Sequence, residues 1–182
     1  MLSVSKTYSS APDLVNPAVL RNPKSRDAAK IRELVKACKP LDLNSTYAYL
    51  LLCHHFADTC VLAEHQGQIV GFVSGYLPPG REDVIFVWQV AVAPEMRGCG
   101  LANAMLRELL SRTSLHTVHY LETTVSPSNE PSRKMFRALA RQLETECAET
   151  TLFGRALFGG EDHEEEVLLR IGRFATQRQR RT

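Results

Sequence analysis

Residues Val87 to Leu110 read VWQVAVAPEMRGCGLANAMLRELL. The apolar run Val84–Val92 predicts a long strand, and Pro94 ends it. A helix is predicted from about Gly100 to Thr113, with Ala102, Met105, Leu106, Leu109, Leu110 and Thr113 on one apolar face. Between strand and helix, Gly98 and Gly100 let the backbone turn with positive φ and expose consecutive N–H groups. The helix leaves its first amides unsatisfied and adds a partial positive charge. With Arg97 beside them, these groups make a site for a pyrophosphate. The helix end alone contributes only about 0.3–2 kcal/mol, so several N–H bonds must act together.

Two other phosphate motifs fit less well. A P-loop needs Gly-Lys-Ser/Thr, which this stretch lacks. A dinucleotide fingerprint would explain Glu122 some way downstream, but Asn103 stands where its third glycine belongs. Ala93 to Arg97 also separate the strand from Gly98, where a dinucleotide turn would be immediate.

The chain has 182 residues, which suits one domain. It is 44% hydrophobic and 23% charged, as soluble globular domains are. The formal charge of +2 gives no field that would favour nucleic acid. Five cysteines, Cys38, Cys53, Cys60, Cys99 and Cys147, are scattered, a pattern that fits reduced thiols in a cytoplasm. No apolar run has the length of a membrane span, and the N-terminus lacks a signal-peptide core.

Working outward, residues 1–17 are polar and proline-punctuated and read as a flexible segment. A short strand near Val19–Arg21 leads to a helix from about Arg26 to Lys39, with Ser25 as N-cap. Asn44 or Ser45 caps a second helix. Its two apolar stripes, Tyr47/Leu50/Leu51/His54 and Tyr49/Leu52/Cys53/Phe56, predict cover on more than one side. Strands follow at about Cys60–Glu64 and Gln68–Tyr76, around a turn at Gln66-Gly67. After the central strand and helix come a strand near Val118–Val125 and a helix capped by Ser128 or Asn129 with Pro131 in its first turn. Strands near Glu144–Thr151 and Glu165–Ile171 complete a domain spanning 18–172. Residues 173–182 read as a flexible basic tail. This order predicts an α+β fold with a mostly antiparallel sheet and a parallel section at the break.

The stretch Val-Ala-Val-Ala-Pro-Glu-Met-Arg-Gly-Cys-Gly-Leu-Ala resembles the acetyl-CoA site of the GCN5-related N-acetyltransferase (GNAT) family, whose signature is Arg/Gln-x-x-Gly-x-Gly/Ala. Arg97, Gly100 and Ala102 fill its defined positions. The resemblance covers about residues 18–172 and implies the acyl-CoA N-acyltransferase fold, with its sheet splayed between the two central parallel strands. It implies that acetyl-CoA, as co-substrate, lies in that gap against the backbone of Val90 and Val92. Its pyrophosphate would meet Arg97, Gly98, Cys99, Gly100, Leu101 and Ala102, and Asn129 would contact it from the next helix. Many members carry a tyrosine in that helix to protonate the departing thiolate. Phe136 stands there in this chain, so the acid is another group or water.

LDLNSTYAYLLLCHHFADTCVLAE, LETTVSPSNEPSRKMF and GGEDHEEEVLLRI are similar to one branch of the family, the homodimeric cytosolic acetyltransferases that act on L-2,4-diaminobutyrate in ectoine synthesis. That likeness implies a homodimer through the second helix and a role in osmotic stress. The substrate has two ammonium groups and a carboxylate. Asp42 and the acidic stretch Glu161–Glu166 offer acids for the ammoniums, Trp88 a wall that suits a cation, and Tyr47 a lid over the pocket. Arg81, Arg133 and Lys134 are candidates for the carboxylate. His163 with its acidic neighbours also suggests a metal, but contiguous residues converge poorly on one ion, so none is expected. His54 and His55 do not face each other along a helix and read as packing or lining.

Only a neutral amine attacks a thioester. With a pKa of about 10.4, roughly one in 2,500 such amines is neutral at pH 7. The α-amine, on the peptide scale, sits near 8 and is the better nucleophile by acidity alone. Selectivity for the 4-amine therefore has to come from position. The expected mechanism is direct attack in a ternary complex, with Glu122, Glu166 or His163 as base and a backbone amide near Val90 polarising the carbonyl. A covalent route through Cys99 is disfavoured, because that position faces the pyrophosphate in the family. Other amines, on polyamines or protein lysines, and a non-catalytic acetyl-CoA-binding module are the alternatives.

Overall fold

Among the described residues, seven strands form one sheet. The computed structural model describes residues 18–159 and 162–175. In chain order the elements are β1 (Val19–Arg21), α1 (Ala28–Ala37), α2 (Thr46–His55), β2 (Val61–His65), β3 (Gln68–Tyr76) and β4 (Val84–Val92). They continue with α3 (Leu101–Leu110), β5 (Tyr120–Val125), α4 (Glu130–Gln142), β6 (Cys147–Phe153) and β7 (Glu166–Gly172). The strand order is β1-β2-β3-β4-β5-β7-β6, and all neighbouring pairs are antiparallel except β4 and β5, which run parallel. The α+β order and the parallel section at the break are those expected from the sequence.

Helices cover both faces, and two adjacent residues of β3 show how. Gly71 faces α3 so closely that a Cβ would stand 2.8 Å from Met105 Sδ. Phe72 points the other way, as strand alternation requires, and meets the Tyr49 ring of α2 edge-on at 6.4 Å. The apolar face of α3 is buried through Leu101, Met105, Leu106 and Leu109. In α2 the two stripes separate. Tyr49, Leu52 and Cys53 are buried, while Tyr47, Leu50, Leu51 and Phe56 are exposed.

Some local expectations need correcting. Ser25 does not cap α1; it opens a short 3-10 turn, and the helix starts at Ala28. Asp27 is the stronger acceptor there, taking the Lys24 N–H at 2.8 Å while the Arg21 guanidinium holds both its oxygens. Ser45 caps α2 by accepting from the Ala48 N–H, and Asn129 caps α4 by accepting from that of Ser132. The sixth strand starts later than expected, at Cys147, after Glu144 turns the chain at φ 55°. The domain also runs past residue 172. Phe174 is buried, its N–H donating to the His119 carbonyl at 3.0 Å. Residues 1–17, Gly160, Glu161 and 176–182 lie outside the described residues.

Candidate active site

The site begins with an irregularity in β4. Ser74 pairs with Gln89 and Gly75 with Val87, so Trp88 is an extra residue, a bulge. Parallel pairing of β4 with β5 lasts only from Val84↔Tyr120 to Phe86↔Glu122, although both strands continue. Beyond it they diverge. On the β3 side of β4, the Gln89 N–H donates to Ser74 Oγ and the Ala93 N–H to the Val70 carbonyl. Successive strand amides point to opposite edges, so those of Val90 and Val92 face the gap that β5 leaves.

A cleft of about 480 Å³ occupies this gap. It is lined by Val90 and Val92 of β4, by Arg97, Gly98, Gly100, Leu101 and Ala102 at the turn into α3, and by Asn129 at the head of α4. Gly98 and Gly100 have φ of 77° and 83°, the left-handed values that bend a chain into an anion-binding nest. The first intrahelical bond of α3 runs from the Ala104 N–H to the Gly100 carbonyl at 3.0 Å, so the amides before it have no acceptor within the helix. An extended ligand ending in a pyrophosphate fits this combination of open strand edge, nest and helix N-terminus.

Cys99, expected with this group, is exposed and does not line the cleft. Its thiol donates to the Met96 carbonyl at 2.8 Å. Burial pushes the thiols of Cys53 and Cys60 up to about 11 and about 12, so neither is a thiolate at neutral pH. Cys38 lines the cleft with its thiol on the Val92 carbonyl at 3.3 Å, a role the sequence did not reveal. Phe136 is buried and has no proton to give.

None of the residues expected to bind the amine substrate lines the cleft itself. Asp42 follows Leu41, which lines it, and Trp88, exposed, lies two residues before Val90. Tyr47 stands on the outer face of α2, 68% exposed. At the start of β7, Glu166 Oε1 accepts from Ser126 Oγ at 2.9 Å. Glu164 accepts from the Ser128 N–H at 3.0 Å, and hydrogen bonding from Ser128 holds its carboxyl below the ordinary carboxylate range. Both bonds tie this acidic stretch to the loop that ends at Asn129. His163 Nδ1 lies 2.6 Å from the Glu164 carbonyl, which can only accept, so Nδ1 carries the hydrogen. In the neutral ring Nε2 is then an acceptor, 4.0 Å from Glu166 Oε1. Phe158 stacks on the imidazole at 4.0 Å and 12°, fixing its plane.

Two nitrogens or oxygens 4.0 Å apart do not bond each other. One ammonium hydrogen-bonded to both, at about 2.8 Å from each, fits between them.

Glu122 is differently placed. It is buried, and its carboxylate accepts from the Arg81 guanidinium at 2.9 and 2.5 Å, while Arg170 donates to Oε1, the oxygen it shares with Arg81. Arg170 also covers the Tyr120 ring at 4.0 Å. Glu122 pairs with Arg170 across the sheet, four residues from Glu166, or about 13 Å along the strand. Its oxygens are committed to two cations. Replacing it by Ala leaves both guanidiniums unpaired, and unfolding in urea is expected to show a loss of about 1–3 kcal/mol, less than for a fully buried pair because both arginines reach solvent. A kcat loss of several hundredfold at unchanged stability would instead make Glu122 the base. Arg81 is thereby held by Glu122, and Arg133 is paired with Glu149 at 2.6 Å through one terminal nitrogen, its buried Nε having no partner among the described residues.

Among the described residues, no three His, Cys, Asp or Glu side chains are placed to share a metal ion. None of the described helices is long and apolar enough to cross a membrane.

Residues 28–140 match the acetyltransferase (GNAT) family, and the chain belongs to that family. It is 54% identical over 156 residues, 85% of this chain and 84% of the relative, to the L-2,4-diaminobutyric acid acetyltransferase of Bordetella parapertussis. Identity to the enzyme of the same name from Halomonas elongata is 44% over 162 residues, 88% of this chain and 84% of that one. Among solved structures, the chain is similar to the diaminobutyrate acetyltransferase EctA from Paenibacillus lautus in complex with L-2,4-diaminobutyric acid and coenzyme A. The TM-score is 0.84 at 43% identity, covering 88% of this chain and 97% of the other.

Proposed function

We propose that this protein transfers the acetyl group of acetyl-CoA to the 4-amine of L-2,4-diaminobutyrate, the acetylation step of ectoine synthesis. The observation that carries the reading is the pair of acceptors, His163 Nε2 and Glu166 Oε1, 4.0 Å apart on the stretch tied to the cleft's edge. The relatives' shared substrate names the ammonium that fits there.

Acetyl-CoA supplies the activated acyl group. The amides of Val90 and Val92 face the open edge of β4, where they can hold its arm and polarise the carbonyl. Arg97, the nest at Gly98–Gly100 and the first turn of α3 hold the pyrophosphate, with Asn129 alongside. Glu166, aided by His163, removes a proton from the 4-ammonium and keeps the amine beside β4. The second proton lost from nitrogen on acylation leaves through the same pair or water. Asp42 holds the α-ammonium, and Trp88 walls the methylene chain; Tyr47, on the outer face of α2, takes no part in the pocket. With Phe136 in α4, water protonates the thiolate.

The enzyme acts in the cytoplasm under osmotic stress and as a homodimer. Support for the dimer is the outer face of α2, where Tyr47, Leu50 and Leu51 are exposed together. Light scattering at micromolar concentration is expected to give twice the chain mass, and Leu50→Glu to give monomers; a wild-type monomer would remove the dimer.

Thiol release from acetyl-CoA against diaminobutyrate, ornithine, lysine, spermidine and a lysine peptide tests the substrate. A kcat/KM for diaminobutyrate at least about 100-fold above the others is expected, since a site built around both ammoniums rejects amines that misplace one. Comparable rates on peptide or polyamine would overturn the substrate.

A further inference from the structure

Gln89 follows the bulge and is buried, 4% exposed. Both ends of its carboxamide are used. Oε1 accepts from the Tyr49 hydroxyl of α2 at 3.2 Å, and Nε2 donates to the backbone carbonyl of Asp42 at 2.7 Å. Its own N–H is held by Ser74 Oγ at 3.2 Å. The carboxamide accepts at one end and donates at the other, and the Asp42 carbonyl, which can only accept, requires the donor.

The loop from Lys39 to Asn44 runs along the cleft, which Lys39, Pro40 and Leu41 line. Its other backbone bond is local, from the Leu41 N–H to the Cys38 carbonyl at 3.0 Å. Among the described residues, the bond from Gln89 is the one that ties this loop to the sheet. It does so beside Trp88, at the point where β4 leaves β5.

We infer that Gln89 is a positioning residue: through the Asp42 carbonyl it fixes the Asp42 carboxylate relative to the β4 edge, and so selects which amine is presented for acetylation. This rests on the diaminobutyrate reading. The two amines of that substrate are separated by a three-carbon stretch, and the α-amine is the more readily deprotonated. A loop released by even an ångström lets the α-amine reach the acyl group, because effective reaction demands near-contact geometry. A merely space-filling Gln89 would have no influence on which nitrogen reacts.

Gln89→Leu, Gln89→Glu and Tyr49→Phe separate these roles. Gln89→Leu and Gln89→Glu both lose the donor to Asp42. Each is expected to raise KM for diaminobutyrate about tenfold, the worth of one buried hydrogen bond, while the acetyl-CoA Kd by calorimetry stays within about threefold. Mass spectrometry with fragmentation is expected to find 2-N-acetyl product absent from the wild type. Hydrogen exchange at the Leu41 amide, bonded to the Cys38 carbonyl at 3.0 Å, should quicken about tenfold, with the sheet unchanged. Tyr49→Phe keeps the Asp42 bond and should stay within about threefold of wild type in every readout. Unchanged exchange at the Leu41 amide in Gln89→Glu overturns the tether whatever the substrate. Quickened exchange with KM and product ratio unmoved overturns the positioning role, as does a Tyr49→Phe variant that matches Gln89→Leu. Absence of diaminobutyrate turnover by the wild type would fall on the proposed function, with the tether still judged by exchange.

Discussion

Glu166→Gln is expected to lower kcat for diaminobutyrate by about 10²–10³-fold, the usual worth of a positioned general base. The substitution is nearly isosteric, and the new amide oxygen can still accept from Ser126 Oγ, so the link to the loop before α4 survives. What disappears is the charge and basicity facing His163 Nε2. The 4-ammonium must then lose its proton to water, and at pH 7 only about one amine in 2,500 has done so. The acetyl-CoA KM should be unchanged, since Glu166 does not line the cofactor cleft. The pH profile carries the sign. Below the amine pKa the neutral fraction rises about tenfold per pH unit, so the variant should recover steadily from pH 7 to 9 while the wild type changes less. A variant with wild-type kcat would remove Glu166 from the chemistry.

Gly100→Val is expected to raise the acetyl-CoA KM about 30-fold or more, with kcat at saturation within about threefold. Gly100 sits at φ 83°, and a Cβ added there would meet nothing within 4 Å, so no clash in the free protein drives the effect. Conformation drives it: a β-branched residue in the left-handed region costs roughly 1–2 kcal/mol. Relief of that strain turns the amides of the nest away from the phosphate, and each weakened charge-assisted bond adds about 1 kcal/mol. At 1.4 kcal/mol per factor of ten, the sum reaches the stated change. Steady-state kinetics with acetyl-CoA varied measures it, and a KM within threefold of wild type would mean that the nest does not hold the pyrophosphate.

The turn and helix start after β4 were legible in the sequence because their determinants are local. Gly98, Gly100 and the helix that follows form the nest within a few consecutive residues, and Pro94, two residues past the end of β4, announces where it lies. The splay was legible only through the family resemblance. What creates it is a bulge at Trp88 and a three-residue pairing with β5, both matters of register between distant strands. The Glu122 clamp shows the same limit. Nothing near Glu122 in the chain signals Arg81, which lies 41 residues away, or Arg170, 48 residues away, so a buried ion pair looked like a free acid. Gln89 stands in full view inside the quoted stretch, yet its partners, Tyr49 and Asp42, come from α2 and the loop before it. For Glu166 and His163 the sequence offered the acids, and the fold supplied Ser126 and Phe158 to hold them.

The position of the transferred acetyl group is the most direct test of the proposed chemistry. Wild-type protein, acetyl-CoA and L-2,4-diaminobutyrate would be mixed at neutral pH and the product read by two-dimensional NMR. Selection by position predicts 4-N-acetyl-diaminobutyrate as the sole product, despite the lower pKa of the α-amine. Acetylation at the 2-amine, or a mixture following amine acidity, would contradict it.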